Sequence, residues 1–119
     1  MKNKVLIGIL LFFTWSCVQK SYKRTVVFTL DVSNLKNIKT VGLRGEGKPL
    51  TWDNDLAMKP IKKDSLYAIS ITAMTGYKFI DVKFVVNGEF ELQNKPNRRV
   101  IFNENGVTNY DAIFNIEKK

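Results

Sequence analysis

Apolar side chains recur at every second position from Val26 onward, with Val26, Phe28, Leu30 and Val32 on one register and Val27, Thr29, Asp31 and Ser33 on the other. A period of two sends alternate side chains to opposite faces of an extended chain, so this stretch predicts a strand with one face on a core. A second strand is expected over residues 39–44, with Val41 and Leu43 inward, before Gly45-Glu46-Gly47-Lys48-Pro49 breaks regular structure. Residues 50–53 resume an extended course. Residues 56–61 are restricted to a sheet edge or a loop by Pro60, which has no N–H for a ladder. A Lys63-Asp64-Ser65 turn leads into a strand over residues 66–72 that places Tyr67, Ile69 and Ile71 on one side. Residues 78–86 put Ile80, Val82, Phe84 and Val86 on one face and Phe79, Asp81, Lys83 and Val85 on the other. Asn87-Gly88 predicts a tight hairpin, because both turn positions need positive φ. Residues 99–102 and 107–116 are expected to form another hairpin through Glu104-Asn105-Gly106. The sum is an all-β chain, expected to be an immunoglobulin-like antiparallel β-sandwich of seven to eight strands.

The first residues follow a different pattern. Lys2 and Lys4 precede an apolar run over residues 5–13, too short to span a bilayer comfortably, as in the charged and hydrophobic parts of a secretory signal. Thr14-Trp15-Ser16-Cys17 closes the run, with a small residue just before the only cysteine of the chain, and resembles the lipobox of bacterial lipoproteins. Thr14 and the bulky Trp15 depart from that pattern; an uncleaved anchor or a leader cut elsewhere are the alternatives. The resemblance implies residues 1–16 as a signal peptide, lipidation at Cys17, residues 17–24 as a tether and residues 25–116 as the folded domain. It also implies a place in the cell envelope, and Val18 rather than Asp at the next position points to the outer membrane. With its thiol acylated the domain has no disulfide and is held by its core alone.

Charge alters this picture little. The chain has 19 Lys and Arg against 11 Asp and Glu. Without Lys2 and Lys4 there are 17 against 11, a net +6. The basic residues are scattered rather than gathered in the stripe that tracks phosphates, so nucleic acid is not the expected partner. The excess reads as a solvated surface, favoured near anionic lipid.

Catalysis has few candidates, because there is no histidine and the one cysteine belongs to the leader junction. Asp53 and Asp55 flank Asn54 in a faint calcium-loop pattern without the remaining ligands, and turn capping is the expected role. No metal or cofactor is expected. The aromatic residues offer more. A flat ring buries the C–H face of a sugar while leaving its hydroxyls free to hydrogen-bond. Trp52, after the glycine-rich loop, is a candidate platform, with packing against the sandwich edge as the plain alternative. Lys83 carries an ammonium on the outer face of its strand, and Phe90 follows the hairpin, either stacking on ligand or packing under the turn. Glu91 and Asn97 are further hydroxyl partners, while Arg98 and Arg99 are expected to pair with carboxylates.

The order of these residues resembles the starch-binding domain, the family-20 carbohydrate-binding module, and more loosely the glycogen-binding family-48 modules. Val41-Gly42 through Leu50-Thr51-Trp52-Asp53 is similar to that family's Val-Gly, loop, Leu-x-Asn-Trp-Asp segment. Residues 66–71 are similar to its Leu-Trp-x-Val-x-Val strand. Val82-Lys83-Phe84-Val85 is similar to its Tyr-Lys-Phe-Ile, and the run from Phe90-Glu91 to Pro96-Asn97-Arg98 to its Trp-Glu-x-x-Pro-Asn-Arg. The resemblance covers nearly all of residues 25–103. It implies a glucan site made of Trp52, Lys83, Phe90, Glu91 and Asn97. Phe90 replaces a tryptophan, two extra residues separate it from Asn97, and the family's second, tyrosine-based site has no match.

The expected function is therefore non-catalytic binding of α-glucan or a related polysaccharide by a membrane-anchored lipoprotein, serving a separate glycoside hydrolase or importer. The alternative is an envelope protein-interaction or structural module of the same fold, in which Trp52 and Phe90 dock a partner.

Overall fold

The computed structural model describes residues 20–117, which fold into two β-sheets packed face to face. The expected signal peptide, and lipidation at Cys17, lie outside the described residues. The strands are β1 (Tyr22–Asp31), β2 (Val41–Gly45), β3 (Leu56–Ala57), β4 (Lys59–Lys62), β5 (Leu66–Thr75), β6 (Phe79–Val86), β7 (Glu89–Phe90), β8 (Arg98–Ile101) and β9 (Val107–Ile113). Among the described residues there is no helix.

One sheet has the order β4-β5-β1-β9; the other has β3-β2-β6-β7, with β8 also paired to β6. β7 covers the end of β6 at Val85 and Val86, while β8 covers its start from Phe79 to Val82. Both sheets turn their alternating apolar faces inward. Val26, Phe28 and Leu30 of β1 and Ile71 of β5 meet Leu43 of β2 and Val82 and Phe84 of β6 in one buried cluster. Phe28 reaches across the gap, edge-on to Phe84 with ring centres 6.1 Å apart, and edge-on to Tyr110 of its own sheet at 6.0 Å. The period-two pattern thus predicted both the sheet faces and the identity of the core.

Two connections differ from the sequence expectation. Residues 98–101 and 107–113 are both strands, but the Glu104-Asn105-Gly106 turn does not make a hairpin of them. β8 stays with β6, whereas β9 crosses to the other sheet and runs parallel to β1, with Phe28 opposite Tyr110. The turn is an arch between sheets, fixed where the Thr25 N–H donates to the Gly106 carbonyl and where Thr108 Oγ1 accepts from the Asn103 N–H. The sandwich is therefore mixed rather than wholly antiparallel. It has nine strands rather than seven or eight, because β3 and β7 are two-residue pairings too short to leave a periodic signature. β1 also begins at Tyr22 rather than Thr25, since Tyr22, Lys23 and Arg24 pair with Thr75, Met74 and Ala73.

Other local signals act as the chemistry requires. Asp64 takes φ 59° in the tight turn into β5, and Pro60 sits on β4, the outer strand of its sheet. Asn87 and Gly88 adopt φ 52° and 79° between Val86 and Glu89, the geometry that an Asn-Gly hairpin demands. The Asn87 amide has a second task. Its oxygen accepts from the N–H groups of Lys39 and Thr40, and its nitrogen donates to the Asn37 carbonyl, tying the approach to β2 onto the hairpin.

Candidate functional site

The outer face of the β3-β2-β6-β7 sheet carries the candidate site. Arg44 of β2 stands directly across from Lys83 of β6. Two cations side by side on a sheet repel unless each is partnered, and each is. Arg44 Nε donates to Asp55 Oδ1 at 2.6 Å, and its Nη1 donates to the Trp52 carbonyl at 2.8 Å. Lys83 Nζ donates to the carbonyls of Leu92 and Lys95 at 3.0 and 3.1 Å. Arg44 thus ties down the segment that bears Trp52, and Lys83 ties down the turn that bears Gln93 and Asn94.

That turn is held at several points. Leu92 and Asn94 have φ of 48° and 65°, in the left-handed region that L side chains enter at a cost of about 1–2 kcal/mol per residue. Leu92 is buried, its N–H donates to Asn115 Oδ1 at 2.7 Å, and the Lys95 N–H donates to the Leu92 carbonyl. These restraints over-determine the conformation, the usual condition for a strained turn to persist.

Trp52, Lys83, Phe90, Gln93, Asn94 and Asn97 line one open depression of about 510 Å³. Trp52 and Phe90 are partly buried, so each ring is seated rather than swallowed by the core. The Arg44 guanidinium lies over the Phe90 ring at 5.1 Å from its centre, occupying one face by a cation–π contact. Four of the five residues named from the sequence are therefore brought together: Trp52, Lys83, Phe90 and Asn97.

Glu91 is the exception and is a correction. Phe90 faces the depression, so its neighbour Glu91 points through the sheet to the interior, with no exposed surface. Its Oε2 accepts from Arg98 Nε at 2.6 Å and from the Phe84 N–H at 3.0 Å. Its Oε1 accepts from Arg98 Nη2 at 2.8 Å and from the Asn115 N–H at 3.2 Å. Every acceptor direction useful to a ligand is spent on the fold. Arg98 also donates to the carbonyls of Ile113 and Ile116, joining β8 to the segment after β9. Burial alone lowers the Arg98 pKa, but its hydrogen bonds to Glu91 and Tyr110 outweigh this and hold the guanidinium above its ordinary value.

Arg99 pairs with Asp81 on the surface at 3.0 and 3.2 Å and stacks over Phe79 at 3.9 Å. Lys83 is less available than its position on the strand suggests, because two of its three donors are taken by main-chain carbonyls. Asp55 is paired with Arg44, and among the described residues no three Asp, Glu, Cys or His side chains gather in one place.

Sequence reasoning missed Arg44, Gln93, Asn94 and Asn115. Arg44 was detectable as a cation on the outward register of β2, opposite Lys83 once that register is drawn. The other three depend on where a loop folds, which no periodicity reports. The chain matches no known family model, and no curated protein is significantly similar to it in sequence.

Proposed function

We propose that this chain is a non-catalytic carbohydrate-binding protein that takes an α-glucan or similar polysaccharide in the depression between Trp52 and Phe90. The observation that carries the reading is the convergence of Trp52, Lys83, Phe90 and Asn97, drawn from four separate parts of the sequence, on one open surface. Two partly exposed rings supply stacking faces, one face of Phe90 being left by Arg44. The remaining Lys83 donor and the side-chain amides of Gln93, Asn94 and Asn97 supply hydrogen bonds to hydroxyls. The restrained turn lowers the ordering cost of binding.

One or two stacked rings at an open site support a Kd of roughly 0.1–1 mM, about −4 to −5.5 kcal/mol. Many copies on one membrane raise the effective concentration for a long polymer. On this reading a lipid anchor at Cys17 places the domain on the envelope, at the outer membrane, where it captures glucan for a glycoside hydrolase or an importer.

Affinity electrophoresis of the full chain in gels containing soluble starch, glycogen or dextran tests this. Retardation by at least one glucan is expected, with Trp52→Ala and Asn97→Ala each weakening it about tenfold, ~1.4 kcal/mol. Unaltered mobility of the wild type across all three polymers overturns the reading. If Trp52→Ala instead releases a bound protein while no glucan retards the wild type, the depression is a protein-docking surface.

A further inference from the structure

We infer that the end of the sandwich where β1 begins lies against an anionic lipid surface. The described chain starts at this end, where the Lys20 carbonyl packs so closely on Gly76 that a Cβ there would stand 2.8 Å from it. Cys17 is three residues away and the apolar run over residues 5–13 ends seven residues away, so either form of anchor enters the bilayer within roughly 10–25 Å of Lys20. The surface around that point suits the setting. Tyr22, Met74 and Tyr77 are 50%, 67% and 72% exposed. Beside them opens a groove of about 980 Å³, with Pro49, Met74, Tyr77, Phe79, Ile80 and Phe102 in its walls.

Cations frame this apolar surface. Lys23 stands across from Met74 on the paired strands, Lys78 lies between Tyr77 and Phe79, and Lys48 lines the groove. Arg24 holds its guanidinium over Tyr22 at 5.2 Å and over Phe102 at 5.9 Å. Glu46 on the groove, Asp81 next to Ile80 and Glu104 beyond Asn103 are the acidic residues nearby in the chain, and Asp81 is paired with Arg99, so the sign of the patch is positive. Tyrosines beside lysines are the composition of a membrane interface, where basic residues are attracted to an anionic leaflet and aromatic rings sit at headgroup depth. The groove lies at the Phe79–Ile80 start of β6, and Lys83 and Phe90 lie toward its far end, so this seating leaves the Trp52 depression off the membrane.

The inference rests on the anchored reading of the N-terminal segment and not on the sugar reading. The full chain is isolated from membranes, reconstituted into phosphatidylethanolamine–phosphatidylglycerol vesicles or phosphatidylcholine vesicles, and labelled with hydroxyl radicals before mass spectrometry. Met74 and Tyr77 should be labelled at least about fivefold less on the anionic vesicles than on the zwitterionic ones. Ile61 and Ile116, exposed at the other end of the sandwich, should not change. Lys23→Glu combined with Lys78→Glu should restore labelling of Met74 and Tyr77. Equal labelling of Met74 on both lipids, or equal protection of both ends, overturns the inference. The mass of the N-terminal peptide separates the two levels of failure. An unacylated, leaderless chain overturns the anchor, and the orientation with it, whereas an anchored chain with unprotected Met74 overturns the orientation alone.

Discussion

Replacing Glu91 by alanine tests the assignment of this carboxylate to the fold rather than to a ligand. Glu91 and Arg98 form an ion pair with side chains 0% and 3% exposed, so the substitution strands a buried guanidinium. Breaking such a pair from one side costs about 3–5 kcal/mol. The N–H groups of Phe84 and Asn115 lose their acceptor at the same time, which adds ~1–3 kcal/mol after water and relaxation take up part of the loss. A loss of about 4–8 kcal/mol follows, against a total of ~5–15 kcal/mol for an ordinary domain. At ~4–8 °C per kcal/mol for a domain near 100 residues, thermal unfolding followed by circular dichroism should shift down by about 16 °C or more.

Glu91→Gln, which keeps the shape and one acceptor, should cost roughly half as much, ~2–4 kcal/mol. At a temperature where it is folded it should bind glucan within about twofold of wild type. The paired change Glu91→Leu with Arg98→Met should cost less than the sum of the two single changes by ~2–3 kcal/mol, because it leaves no charge unpaired. A loss below ~1 kcal/mol for Glu91→Ala, or single changes that simply add, would refute the argument.

Three further outcomes follow from neighbouring geometry. An alanine at Gly42 puts a Cβ 2.8 Å from the Cβ of Asp55, near the root of that side chain, so it must displace the Arg44–Asp55 pair and the Trp52 segment. Gly42→Ala is expected to lose ~1–3 kcal/mol in urea unfolding and to weaken glucan retardation even where folded; unchanged retardation would show that Trp52 does not depend on this packing. Asn87→Gly keeps the turn conformation but removes three side-chain hydrogen bonds to residues 37–40, and should cost ~1–3 kcal/mol while hydrogen exchange at Lys39 and Thr40 accelerates. The hydroxyl and main-chain N–H of Ser33 both donate to Asp31 Oδ1, holding its pKa below the usual carboxylate value. A depressed folded pKa contributes stability that is complete above the unfolded value of about 3.9 and is lost as pH falls through the folded value. Asp31→Asn should therefore flatten the acid limb of the stability profile below about pH 4 and leave the slope near neutrality unchanged.

The sheets could be read from the chain because their signal is local and repeated. A single buried face writes itself as alternation, which is why the inward residues of β1, β5 and β6 were all identifiable. Asn87-Gly88 was legible for a related reason, since positive φ at two adjacent positions leaves few residue choices. Glu104-Asn105-Gly106 shows the limit of that logic. The residues specify a turn, but whether the next strand pairs with its predecessor depends on a free edge of β1 82 positions earlier. Glu91 shows another limit. A carboxylate beside an exposed ring has the same neighbours in sequence whether it faces solvent or core, and only the two-residue register of β7 against β6 decides. Trp52, Lys83, Phe90 and Asn97 were found because their residue types suit sugar; Arg44 and Asn115, which hold the platform in place, have no such chemical signature.

The parallel pairing of β1 with β9 imposes an order on how the molecule comes together. Among the described residues the earliest strand borders the last, so until residues 107–113 are in place β1 displays a bare rim of amides and carbonyls. Contacts spanning most of the polypeptide are slow to form, and a nascent chain with such a rim is open to mispairing. The sheet of β4, β5 and β1 is therefore completed only when residues 107–113 reach it.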